Sequence, residues 1–207
     1  MAALTGGYNR SCEGRIVSTW IWAIGRMCGL SISAGVRASM TLLIMGVLSR
    51  EGWGFHVASG FGWLESSAAI AVFVVLAILE IAFDKVPSFD RLYARLSVPW
   101  RLAAGAIAGG AAMSHGVVGL VVGLVAGAGL AFLGISAKRL WRPRSTTSTM
   151  TIPLLSLVED LASFAAAVLS ATLPPIGYAV VAWTTWFDVR LRRRRVAKYK
   201  GLRVLSR

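Results

Sequence analysis

VVGLVVGLVAGAGLAFLGISA, Val117 to Ala137, runs for 21 residues without one charged side chain. About 20 such residues cross the ~30 Å hydrocarbon core of a bilayer as a helix. The rest of the chain has the same bias. It has 207 residues, 56% hydrophobic and 15% charged, with a mean hydropathy of +0.67. A typical soluble domain is about 25% charged. A soluble fold of this size would expose apolar patches far beyond the few hundred Å² that monomers tolerate. The expected fold class is all-α, a polytopic transmembrane bundle.

Five further segments have spanning character: 27–48, 63–83, 100–113, 152–170 and 175–187, the third, fifth and sixth in chain order being short. Six spans follow, some of them glycine-interrupted. Residues 1–26 read as an N-terminal cytoplasmic and interfacial lead-in, 27–188 as the transmembrane domain and 189–207 as a basic cytoplasmic tail. Between residues 84 and 100, Phe89, Leu92, Tyr93 and Leu96 share one helical face, which suggests a short amphipathic helix on the cytoplasmic surface.

The formal charge is 22 − 9 = +13. Nucleic-acid binding would need basic and aromatic residues interleaved on one soluble surface. Here nine of the 22 basic residues fall between Arg190 and Arg207, and most others sit between apolar runs. With the N-terminus inside, Lys85, Arg91, Arg95 and Arg101 share the cytoplasmic face with Lys138, Arg139, Arg142, Arg144 and the tail. The outer turns at His115 and Pro174-Pro175 carry no lysine or arginine. This is the positive-inside distribution. It points to a bacterial cytoplasmic (inner) membrane protein with both termini cytoplasmic and no nucleic-acid partner. Six of the tryptophans (Trp53, Trp63, Trp100, Trp141, Trp183 and Trp186) stand near expected span ends, where aromatic belts form. The tail is expected to lie against anionic lipid headgroups.

Small residues recur at steps of four: Gly25, Gly29 and Ser33; Gly105 and Gly109; Gly119, Gly123 and Gly127. Such stripes let helix backbones approach closely, within one bundle or in a homo-oligomer or with another membrane protein. Cys12 and Cys28 have no metal spacing, and no phosphate-binding, nucleophile-elbow or zinc motif is present. No cofactor, no metal and no catalytic residue is expected, and the reading leans away from an enzyme. His56 and His115 read as solvent-exposed.

Charges inside apolar segments carry the functional signal. Each costs roughly 2.5–3.5 kcal/mol on insertion scales. Arg37 lies ten residues into the first span and continues the Gly29–Ser33 stripe. Glu159 and Asp160 lie about 10 Å into the fifth span, with Ser156 on the same face. Glu80 and Asp84 are four residues apart near the inner end of the second span. Lys85 and Lys138 stand at the mouth. Arg37, Glu80, Asp84, Lys85, Lys138, Ser156, Glu159 and Asp160 are therefore the candidate ion- or substrate-binding residues, all in the cytoplasmic half. The two adjacent carboxylates Glu159 and Asp160 exceed what Arg37 alone needs, which suits cation or proton handling. A structural ion-pair network is the competing reading.

Three stretches carry a family resemblance: GLSISAGVRA from Gly29, LEIAFDKVPSFD from Leu79 and PLLSLVED from Pro153. In that order, over roughly residues 27–188, they resemble the membrane family called domain of unknown function 4126. Ile152 stands where that pattern commonly has asparagine. The resemblance implies a helical membrane fold and the grouping of these charged residues, and it implies no activity. A faint internal repeat pairs Ile32-Ser33-Ala34 with Ile135-Ser136-Ala137, an arrangement found in transporters built from inverted repeats. The function expected is a small transporter or channel with a charged cavity. The alternative is a non-catalytic membrane subunit or assembly scaffold.

Overall fold

A computed structural model describes the backbone of residues 5–85, 87–113, 116–141 and 151–204, and the side chains of 19–83, 96–113, 116–140 and 156–194. Among the described residues there are seven α-helices, one 3-10 helix and no strand. In chain order they are α1 (Thr5–Val36), α2 (Ala38–Arg50), the 3-10 helix Ser59–Glu65, α3 (Ser67–Lys85), α4 (Pro87–Ala112), α5 (Gly116–Trp141), α6 (Thr151–Thr172) and α7 (Pro174–Val204).

The decisive departure from the sequence reading is at Arg37. Residues 27–48 do not form one span. Helix α1 stops at Val36, Arg37 is extended (φ −137°, ψ 90°) and α2 starts at Ala38. The chain also turns back on itself there. The Arg26 guanidinium donates to the Gly54 carbonyl at 2.6 Å and lies 5.8 Å from the centre of the Phe55 ring. A straight continuation would separate residue 26 from residue 50 by about 36 Å, well beyond an arginine's reach. Helices α1 and α2 are thus the two arms of a V with Arg37 at its apex.

Both arms pack along α6 and α4. Arg26 Nε donates to the Ala171 carbonyl at one end of α6, and Arg37 meets Ser156 and Asp160 toward the other. On α4, Ala111 accepts a backbone bond from Ala58 at 2.9 Å, while Arg101 sits beside Glu80. The bundle therefore has two ends. One gathers Arg26, the loop after α2 and the α6–α7 turn. The other gathers the buried charges.

Two other segments differ from expectation. The surface helix expected at 84–100 and the short span at 100–113 are one continuous helix, α4, which runs through Pro99. The charges along its first half hide that continuity from a hydropathy reading. Helix α7 likewise continues past Phe187 through the basic tail to Val204.

The six-span count is not what helix length and composition establish. Among the described residues, Gly116–Leu140 alone is long and apolar enough to cross a membrane, with a mean hydropathy of 2.4. A second span results if the 3-10 helix and α3, bent by 65°, count together. Much of the outer surface is nevertheless apolar. Val117, Val118 and Val125 on α5, Ile78 on α3, Leu161 on α6 and Trp183 on α7 are all exposed, while Arg37, Glu80, Arg101, Lys138, Glu159 and Asp160 are buried.

The small-residue stripes close the interior. A Cβ at Gly177 would strike the Gly25 carbonyl, and one at Gly109 would strike the Gly123 carbonyl. Each crossing brings two backbones closer than any side chain permits. The stripes are thus used within the chain, between α1 and α7 and between α4 and α5.

Candidate functional site

The V apex is held by its own backbone first. The Arg37 N–H donates to the Ser33 carbonyl at 2.8 Å and ends α1. The Arg37 carbonyl accepts from the Thr41 N–H at 3.1 Å and from Thr41 Oγ1 at 2.8 Å, which starts α2. The break leaves the first N–H groups of α2 without intrahelical partners. No side chain of the break itself caps them. Instead Glu80, on α3, reaches across: its Oε2 accepts the Ser39 N–H at 3.2 Å. A carboxylate at this position meets the positive end of the helix dipole.

Around this backbone, among the described residues, sit three ion pairs. Arg37, with no exposed surface, pairs through Nε with Asp160 Oδ1. Its Nη2 donates to Ser156 Oγ at 3.0 Å and its Nη1 to the Glu80 carbonyl at 3.4 Å. Arg101 on α4 pairs with Glu80 Oε1 at 3.4 Å. Lys138 on α5 pairs with Glu159 Oε2 at 3.6 Å. One apex residue thus ties the break to α3 and α6, and Glu80 carries the tie on to α4.

The structure brings part of the sequence-derived set together. Arg37, Glu80, Ser156 and Asp160 converge directly, and Lys138 and Glu159 form a pair one residue along α6 from Asp160. Asp84 and Lys85 end α3, and their side chains lie outside the described residues. Arg101 reads from sequence as a cytoplasmic-loop residue and not as part of the site. The structure puts it inside, because α4 is continuous and carries residue 101 to the level of Glu80. Its charge one residue after an expected span start is the signal in the sequence that could have found it.

Arg101 also corrects the charge argument. Among the described residues, the cluster has three cations (Arg37, Arg101, Lys138) against three carboxylates (Glu80, Glu159, Asp160). The surplus of carboxylates expected from the sequence is absent there. A balanced cluster of this kind costs less to bury than the same charges unpaired. At the Arg37–Asp160 pair a further charge enters by exchanging partners.

Beside the Lys138–Glu159 pair lies an open cavity of about 510 Å³, between α1, α5, α6 and α7. Cys28 is free and buried in the core, and Cys12 lies outside the described residues. His56 is exposed, and His115 lies outside the described residues. Among the described residues, no group of three or more His, Cys, Asp or Glu side chains comes together to hold a metal ion.

No curated protein and no solved structure matches the chain. A family model does, over residues 24–194, a stretch that contains the apex of the V, every described ion pair of the site and the cavity. The chain belongs to the family described as domain of unknown function (DUF4126).

Proposed function

We propose that the protein is a multi-pass membrane protein that moves a small charged solute, an ion or a proton, through the balanced cluster at the V apex. The observation that carries this reading is the helix break at Arg37, set among buried charges of both signs. Broken helices at membrane depth are tolerated where they are buried in protein or line a cavity, and in transporters they supply the binding site. The outward-facing valines, leucines and tryptophans on α3, α5, α6 and α7 supply a lipid-facing surface.

The partner exchange has a simple chemistry. A proton on Asp160 weakens its hold on the Arg37 guanidinium, which then can take an anion in place of the carboxylate. Proton and anion entering together change the apex without leaving a charge uncompensated in a low dielectric.

The V also changes the topology that fits best. Its arms enter and leave at one face, so α1 and α2 add no net crossing. Helices α3 to α7 then make five crossings. The basic ends of α3, α5 and α7 share the cytoplasmic face, as the positive-inside rule prefers, and the tail lies against anionic lipid there. The N-terminus comes to the opposite face, instead of joining the C-terminus.

Proteoliposomes holding the wild type and Asp160→Asn provide the test. Flux of protons or of one inorganic ion through the wild type, lost in the variant, supports transport. Equal flux in both, or none through the wild type for any ion tried, sinks it. The second reading, a non-catalytic membrane subunit or scaffold, is favoured by the pairing of the buried charges among the described residues. It requires a protein partner that survives purification in mild detergent.

A further inference from the structure

The cavity of about 510 Å³ is lined mainly by apolar side chains, among them Ile32, Val36, Val158, Ala166, Trp183 and Phe187. Its size falls in the range of roughly 300–1,000 Å³ typical of ligand sites. Lys138 and Glu159 also line it, so one part of the wall is charged. Ser33 lines it too, and its hydroxyl is buried without a hydrogen-bond partner. An orphaned buried hydroxyl costs about 1–3 kcal/mol and calls for an explanation.

The charge beyond the apolar wall is positive. Arg190 and Arg194 follow Phe187 by three and seven residues, on the same face of α7. Arg190 lies 4.9 Å from the centre of the Trp186 ring, and both arginines are exposed. Arg139 is exposed beside Lys138. The nearby acidic groups are engaged, Glu159 with Lys138 and Asp188 with Arg192. An ammonium has three donors, so Lys138 can serve Glu159 and a second oxygen together.

We propose that this groove is a binding site for an anionic bilayer phospholipid. One acyl chain lies along the Ile32–Val158–Trp183 wall. The phosphate sits at the basic mouth between Lys138 and Arg190, and an ester oxygen accepts from the Ser33 hydroxyl. The site rests on the membrane reading and not on transport. Its consequence for the protein is that α1, α6 and α7 are bridged by a lipid where their own side chains leave a gap.

The test uses the full-length protein in detergent, equilibrated with mixed micelles of phosphatidylglycerol and phosphatidylcholine. Retained phospholipid is then counted by native mass spectrometry. The wild type is expected to hold phosphatidylglycerol about tenfold over phosphatidylcholine, because both carry the phosphate and only the latter brings a choline cation to the basic mouth. Ala166→Phe fills the groove and should abolish retention. Arg190→Gln with Arg194→Gln should remove the headgroup preference while leaving binding. Ser33→Ala keeps the fold if the bulkier change does not, and should weaken retention about fivefold. Unchanged retention in both Ala166→Phe and Ser33→Ala overturns the proposal. So does equal retention of the two lipids, or displacement by free palmitate as effective as by phosphatidylglycerol. A failed flux assay with lipid still held would sink transport and leave this site standing.

Discussion

Arg37 and Asp160 form an ion pair at the apex of the α1–α2 V, with the arginine fully buried. The pair joins the one extended residue between two helices to the middle of a third. Removing one partner leaves the other charge without its counterion, which costs about 3–5 kcal/mol. Arg37→Met and Asp160→Leu alone should each lower stability by that order. Together they should recover most of it, because two apolar groups replace two charges. Thermal unfolding of the four proteins in one detergent measures the cycle. A double variant as unstable as the sum of the singles would refute a direct pairing.

Glu80 has two separate duties, and substitutions can divide them. It caps α2 through the Ser39 N–H and pairs with Arg101. Glu80→Gln keeps an acceptor for the cap and loses the charge, while Glu80→Ala loses both. The alanine variant should be less stable than the glutamine variant by about 1 kcal/mol, the usual worth of a helix cap. Combined with Arg101→Gln, Glu80→Gln should show a coupling of about 0.5–3 kcal/mol. Equal stability of the alanine and glutamine variants would mean the cap contributes nothing.

Membrane orientation gives a sharper check on the V. Cys12 reports the N-terminal segment, and Leu205→Cys reports the tail in a protein also carrying Cys12→Ser. Both sit in a Cys28→Ser background. In intact cells, a membrane-impermeant maleimide should label Cys12 and should reach the cysteine at 205 only after permeabilisation. Labelling of both positions on the same side would mean an even number of crossings and would refute the five-crossing topology.

The close helix crossings predict opposite signs for two glycine substitutions. Gly177→Ala drives a methyl group into the Gly25 carbonyl, and neither backbone can give way cheaply. A loss of about 1–3 kcal/mol is expected from overpacking. Gly129→Ala, in α5, meets nothing within 4 Å. It should raise stability by up to about 1 kcal/mol through helix propensity. Unfolding midpoints of the two variants, measured side by side, decide the matter.

Much of the site is legible in the amino-acid sequence. Apolar segments tolerate few charges, so Arg37, Glu80, Glu159 and Asp160 stand out from their surroundings, and helical spacing puts Ser156 near them. Arg101 escapes that reading because a charge near a span end resembles a loop residue. Only the continuity of α4 shows that this position is interior. The balance of the cluster follows the same course: with Arg101 placed outside it, the carboxylates look to be in excess.

Composition alone determined the helical class and singled out the few charges set within apolar segments. These are sums over local preferences, and they do not depend on how helices meet. The direction of the chain at Arg37 was decided only in three dimensions. Residues 27–48 are apolar enough for one span, and nothing local in GVRAS forces a break. The turn is stabilised by groups distant in sequence: Glu80 on the freed α2 N–H, Asp160 and Ser156 on the guanidinium, and Arg26 reaching Gly54 across the open V. Partners more than 40 residues away from Arg37 set its conformation, and a periodicity read along the chain carries no record of them.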